Sequence, residues 1–214
     1  MRRVHVEWGA TGAGVLSEHC SVVVVCDVLS FSTTVSVATA RGVVVVPRAW
    51  RDANEPGRPA LLSPAAMQRV ERGSRVVLPS PNGATVCVAA AAVGAQVVAG
   101  CLRNVSAVAH WCRQQPGDIG VVAAGERWPD DTLRPAYEDW VGAGALVALL
   151  RGDADLSPEA EAAAAAAAAR RPFDQVASGL ELIVAGFADD VAMAEDVDAD
   201  GVVPVLESGW FVPR

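Results

Sequence analysis

The stretch Val22–Thr34, VVVVCDVLSFSTT, decides the fold. Four valines and a cysteine form an unbroken apolar run, the pattern of a strand buried on both faces of a sheet. Asp27 then ends the run, and small hydroxyl residues follow at Ser30, Ser32, Thr33 and Thr34. An acid at that point has two readings. It caps the helix that begins near Ser32, or it holds a cation beside a helix N-terminus that receives an anion.

The same strand-then-helix pattern recurs along the chain. Strands are predicted at Val4–Trp8, Val22–Cys26, Val43–Val46, Val76–Leu78, Val97–Ala99, Ile119–Ala123 and Val202–Leu206. Helices are predicted at Ser32–Ala40, Pro64–Glu71, Ala84–Val93, Ser106–Gln114, Ala136–Leu150, Pro158–Arg170 and Phe173–Ala185, with further helical turns at Asp189–Asp196. Strands alternating with crossover helices indicate an α/β fold whose largely parallel sheet is covered on both faces. Residues 1–214 read as one domain, with PRAWRDANEPGRPALLSP as a surface loop. GATGAG (Gly9–Gly14) reads as a turn: it does not match GxGxxG, and about seven residues separate it from the next strand, where a parallel crossover needs a dozen or more.

Composition narrows the function. A 214-residue chain with 52% hydrophobic residues can bury a sizeable core. Its net charge of −8 offers nothing to nucleic acid or to an anionic membrane. The five cysteines show no CxxC spacing and read as reduced thiols. With no signal-peptide core and no apolar run of spanning length, the expectation is a cytoplasmic protein. A homodimer is the base-rate expectation for its assembly, with Trp50, Trp128, Trp140 and Trp210 as candidate interface residues.

Four strand-to-helix turns carry polar residues: CDVLSFSTT, LPSPNGAT, CLRNVSAV and AAGERWPD. In a parallel sheet all four lie on one edge, where ligands bind. Asn82-Gly83 forms a tight turn whose backbone can approach a phosphate, and Arg103 and Arg127 can supply forked donors. Asp27 followed by Leu29 is not the DxD of an aspartyl-phosphate enzyme, and no cysteine has an arginine six residues on. His5, His19 and His110 have no zinc spacing. Carboxylates remain: Asp27, Glu126, Glu138 and Asp139. Such oxygen-only ligands suit Mg²⁺ bridging to a phosphate, which neutralises a transferring phosphoryl group. Glu138 and Asp139 read equally as solvated charges on a helix face, and Glu126-Arg127 as a surface ion pair.

The motifs DVLSFSTT, SPNGAT, CLRNVSAVA, AAGERW, LRPAYEDWVGAGA and GFADDVAMAEDVDADGVVPVL, in that order, resemble the 2-phosphosulfolactate phosphatase family over roughly Val22–Leu206. The resemblance implies a three-layer α/β/α sandwich around a mixed, largely parallel sheet. It also implies a Mg²⁺-dependent phosphatase that converts a small anionic phosphorylated substrate, 2-phosphosulfolactate, to sulfolactate on the route to coenzyme M. The family's polar motifs fall on Asp27, Asn82, Gly83, Asn104, Glu126 and Glu138. From their chemistry, Asp27 and Glu126 are expected to be catalytic and, with Glu138, to hold the metal. Ser30, Asn82, Gly83, Arg103, Asn104 and Arg127 are expected to bind the phosphate. Three features depart from the family pattern. Ser30 stands where an arginine is usual, Leu180 replaces another, and a glycine-rich loop is shortened to Ser63-Pro64. These departures motivate the alternative of a non-catalytic paralogue that binds a small anion or a protein partner.

Overall fold

A computed structural model describes residues 2–50 and 62–214. The first half of the chain supplies β1 (Arg3–Trp8), α1 (Gly9–Ser17), β2 (Val22–Cys26), α2 (Phe31–Ala40), β3 (Val44–Ala49), α3 (Pro64–Met67), β4 (Arg75–Ser80) and α4 (Gly83–Ala91). Next come β5 (Gln96–Ala99), a 3-10 turn at Leu102–Asn104, α5 (Val105–Gln114), β6 (Ile119–Ala123), β7 (Glu126–Arg127), β8 (Leu133–Arg134) and α6 (Tyr137–Leu150). The last part holds β9 (Asp155–Leu156), α7 (Pro158–Ala168), α8 (Ala177–Val184), α9 (Ala188–Glu195), β10 (Pro204–Glu207) and β11 (Trp210–Pro213).

The main sheet has nine strands in the order β4-β3-β11-β10-β5-β2-β6-β1-β9. Strands β5, β2, β6, β1 and β9 pair in parallel, as do β3 and β4. The hairpin β10–β11 pairs antiparallel on both of its sides and joins the two blocks. The sheet is therefore mixed and mostly parallel. Strand β2 alternates its side chains between two cores, as a doubly covered strand must. Val22, Val24 and Cys26 face one core with residues of α5, α6 and α7, such as Val108, Leu146 and Ala163. Val23 and Val25 face the other with residues of α1, α2 and α4, such as Leu16, Val35 and Ala84. Two helical layers thus enclose one sheet, the expected three-layer α/β/α sandwich.

Three expectations change. GATGAG is not a turn. It forms α1, which begins directly after β1 at Gly9, where φ is +62°. The crossover runs from Trp8 to Val22, so residues 9–21 are available, and that is the dozen a parallel connection needs. The seven residues after Gly14 are only the second part of that crossover, because the glycine stretch belongs to it. Second, the four polar turns do not all leave one parallel block. Three successive antiparallel pairings separate β5 from β3, so β3 and β4 join the sheet in the opposite sense. The turn after β4 still meets the end of β2, because α4 packs against both β2 and β3. Third, the C-terminal strand continues into a hairpin partner, β11, whose Phe211 sits edge-on to Phe31 of α2 at 6.1 Å. The predicted surface loop lies largely outside the described residues.

Candidate active site

Asp27, one residue past β2, is buried and accepts three hydrogen bonds. Its Oδ1 accepts from the Ser30 hydroxyl at 2.9 Å and from the backbone N–H of Phe31 at 3.1 Å. Its Oδ2 accepts from the N–H of Gly83 at 2.7 Å. Phe31 and Gly83 are the first residues of α2 and α4, so one carboxylate satisfies a free N–H at the start of each helix. The helix-cap reading of Asp27 is thus realised twice over. A carboxylate offers about four lone-pair sites, so one remains. The local hydroxyls complete the turn. Ser32 Oγ accepts from Asp27 N and donates to Val25 O, and Thr33 Oγ1 donates to Val28 O.

Glycine at position 83 is required by this contact. A Cβ there would lie 2.6 Å from Asp27 Oδ2 and 2.6 Å from Phe31 Cδ1. The adjacent Asn82 donates its Nδ2 to Glu126 Oε2 at 2.8 Å. A continuous hydrogen-bonded line therefore runs Ser30–Asp27–Gly83, then through the chain to Asn82 and on to Glu126. Asn82 and Glu126 stand between two cavities, and both line each of them. One, of about 250 Å³, is bounded by Trp8, Thr11 and Arg127. The other, of about 240 Å³, is bounded by Ser30, Ser63, Leu182, Phe187 and Asp190.

Four acids crowd this edge. Burial pushes the Glu126 carboxyl up to about 7, and the charges of Asp27 and Glu138 add to it. Burial first and Asp27 second raise Glu138, while the nearby Ser178 hydroxyl opposes. Burial raises Asp27 as well, against its three donors. Asp139 is raised well above the usual range by burial and by the other three acids. Glu138 is 2% exposed, and its Oε2 has no hydrogen-bond partner. Arg134 is the cation whose field reaches both Glu126 and Glu138. Its guanidinium is paired with Glu181 at 2.8 Å and lies over the Trp128 ring.

Several expected site residues have other roles. Arg103 is not free to bind phosphate. It is 7% exposed and spends its donors on Asp196 at 2.8 Å, on Asp200 at 2.9 Å and on Met193 O. Asn104 is fully buried. Its Oδ1 accepts from Cys101 N and its Nδ2 donates to Ala99 O, so it locks its own turn. The Gly83 N–H is given to Asp27 and not to a ligand. Arg127 borders a cavity but is bonded to Pro81 O and to Asp131. Glu138 and Asp139 are buried, not solvated. The sequence held a signal for this: YEDWVGAGALVALL is apolar all round, so the first turn of that helix is enclosed with the rest.

The expected set of three carboxylate ligands does not converge either. Among the described residues no three His, Cys, Asp or Glu side chains form a metal-sized group. The donors still fit a hydrated divalent ion. Mg²⁺ is commonly held by one or two carboxylates plus waters and substrate oxygens. Here Asp27 retains a lone pair and Glu138 has an orphaned buried oxygen.

Two comparisons bear on this edge. A curated relative from Methanothermobacter thermautotrophicus, 2-phosphosulfolactate phosphatase, is 32% identical over 142 residues. The match covers 64% of this chain and 58% of the relative, so the chain spans little more than half the length of the curated protein it matches. The sequence model of the 2-phosphosulpholactate phosphatase family matches residues 60–209, which include the Asn82–Glu126 pair and both buried acids of α6. The chain belongs to the 2-phosphosulpholactate phosphatase family.

Proposed function

We propose that the protein is a Mg²⁺-dependent phosphomonoesterase acting on 2-phosphosulfolactate or a closely related phosphorylated hydroxy acid. The observation that carries this reading is Glu126. It lines both cavities, is oriented by Asn82, and has a carboxyl raised to about 7. A base poised near neutrality is efficient at taking a proton from water in the transition state. Glu126 accepts that proton on the side of its carboxylate not engaged by Asn82. Asn82, which lines the second cavity, has a second Nδ2 hydrogen to offer the ester's oxygens, while the Ser30 hydroxyl on the same wall is given to Asp27. Asp27 and Glu138 would hold Mg²⁺, which when bound neutralises phosphoryl charge and lowers the pKa of water. The product sulfolactate would feed coenzyme M synthesis. The reading places the enzyme in the cytoplasm, assembled as a homodimer. All five cysteines are free and buried, and no described helix is long and apolar enough to cross a membrane.

The test is phosphate release from 2-phosphosulfolactate, phospholactate and phosphoglycolate, with Mg²⁺ or with EDTA, for wild type, Asp27→Asn and Glu126→Gln. Release that needs metal and collapses in both variants is expected. A second reading, the non-catalytic paralogue, is favoured by one observation: no described residue lining the second cavity is Lys or Arg. Folded, metal-loaded wild type that releases nothing from any of the three esters would decide for it.

A further inference from the structure

Asp139 does something that neither the proposed chemistry nor the family assignment gives it. It stands in the first turn of α6 and is 3% exposed. Its Oδ1 accepts from the N–H of Val28 at 2.7 Å. Its Oδ2 accepts from the N–H of Gly125 at 2.8 Å. Those amides lie just past the ends of β2 and β6, and each adjoins a site residue: Val28 follows Asp27, and Gly125 precedes Glu126. Gly125 has φ +71°, and a Cβ there would lie 2.5 Å from Leu133, so this turn is itself tightly held. The helix that carries Asp139 is fixed from the next residue, because Trp140 stacks on Trp8 at the end of β1 with ring centroids 5.2 Å apart.

We infer that Asp139 is a positioning residue, a brace that sets the distance between the Asp27 turn and the Glu126 turn. Its two oxygens are used one per strand end, so the spacing of the carboxylate is transferred to the two turns. The strands below them are already paired in register, Cys26 opposite Ala123. One further backbone bond, from Ala124 N to Cys26 O at 2.8 Å, continues the ladder past that pair, and beyond it Asp139 is the side chain bonded to both turns. The α6 N-terminus favours a carboxylate here through its dipole. An amide cannot replace it: asparagine presents one acceptor and one donor, so its NH₂ would meet one of the two backbone N–H groups head-on. No metal or substrate contact is assigned to Asp139.

The inference rests on the proposed phosphatase activity, and the test separates the two. Asp139→Asn is compared with Asp118→Asn, the same change at an acid away from the site, whose one backbone donor, the Arg3 N–H, an asparagine oxygen can still accept. Both are measured well below their melting temperatures. A displacement of about 1 Å at reacting groups can cost about a hundredfold in rate. We expect Asp139→Asn to lose about that in kcat per folded molecule, with KM little changed. Asp118→Asn should keep its kcat. A purely structural role for Asp139 would lower only the melting temperature. In parallel, amide NMR signals of Ser30 and Glu126 should move together in Asp139→Asn, whether or not any ester is turned over. Active wild type with an equally active Asp139→Asn would overturn the brace and leave the phosphatase standing. Inert wild type would overturn the phosphatase, and unmoved Ser30 and Glu126 amides would then overturn the brace on their own.

Discussion

Replacing Gly83 by alanine should damage the protein more than one methyl group suggests. The added Cβ would stand 2.6 Å from Asp27 Oδ2, 2.6 Å from Phe31 Cδ1 and 2.7 Å from Phe31 Cβ. None of these atoms has room to move. Phe31 is fully buried and wedged against Phe211, and Asp27 is held by Ser30 and by the Phe31 N–H. Overpacking of this kind costs about 1–3 kcal/mol. Stretching the Gly83 N–H bond to a carboxylate forfeits a further share of about 1.5–3 kcal/mol. The same displacement relieves one while incurring the other, so we expect about 3 kcal/mol in total, a fall in Tm of about 6–12 °C. The assay is thermal unfolding followed by circular dichroism in EDTA, with Gly14→Ala as the counterpart. Gly14 lies inside α1 with nothing within 4 Å of its Cβ position. Alanine there should stabilise by up to about 1 kcal/mol through helix propensity alone. Two variants of the same chemistry should therefore shift Tm in opposite directions. A Gly83→Ala protein that melts within about 2 °C of wild type would refute the close packing of Asp27, Phe31 and α4.

Other outcomes follow from the same geometry. The folded state raises the Glu126 carboxyl from 4.5 to about 7, so it binds that proton more tightly than the unfolded chain does. The penalty is absent below 4.5, grows as pH rises through about 7, and is complete above; it amounts to at most about 3 kcal/mol. Glu126→Gln should thus melt higher than wild type at pH 8 and alike at pH 4.5, in EDTA; equal melting at pH 8 would remove the case for a raised Glu126. Arg103→Ala should cost about 3 kcal/mol by stranding the nearly buried Asp200, with KM for the ester unchanged. A large rise in KM would return Arg103 to the phosphate site. Glu138→Gln removes a buried charge whose Oε2 is unpartnered. It should melt higher than wild type in EDTA and gain nothing from added Mg²⁺, whereas wild type gains in proportion to binding. Equal Mg²⁺ stabilisation of both proteins would move the ion elsewhere.

The sheet was largely readable because its strands are short, Val-rich and unbroken, and β2 and β6 fall where their sequences put them. What was not readable has identifiable causes. Helix α1 has three glycines in nine residues, poor helix formers held by packing on β1 and β6. Strands β7, β8 and β9 are two residues each and exist only through their partners. At the site, the acids named from sequence are brought to one edge of the sheet. Sequence could not assign their bonds. Arg103 and Asn104 have the residue types that bind phosphate, and in the chain they look as available as Asn82. Their partners are too distant in sequence or too local to betray themselves: Asp200 is 97 residues from Arg103, and Asn104 bonds back to its own turn. Asp139 reads in the chain as either a candidate ligand or a solvated charge on a helix face, and the apolar remainder of α6 is what buries it with Glu138.

The opening stretch poses a further question of economy. An ordinary helix cap can be neutral, since asparagine and serine cap about as well; Asp27 caps two helices with two accepting oxygens, which an amide cannot do. A carboxylate at this point still has a cost. It is buried, and it raises the carboxyls of Glu126, Glu138 and Asp139 through its charge. Each of those acids in turn lies at the same edge, where α2, α4 and α6 begin. The N-termini of these helices offset part of the repulsion, and Arg134 offsets a further part although both of its terminal nitrogens are bonded to Glu181. Stability alone would replace Glu126 or Glu138 by an amide, since neither has both oxygens engaged by donors. The joint presence of the four acids, with one oxygen left unpartnered, is the electrostatic ground on which the proposed Mg²⁺ site rests.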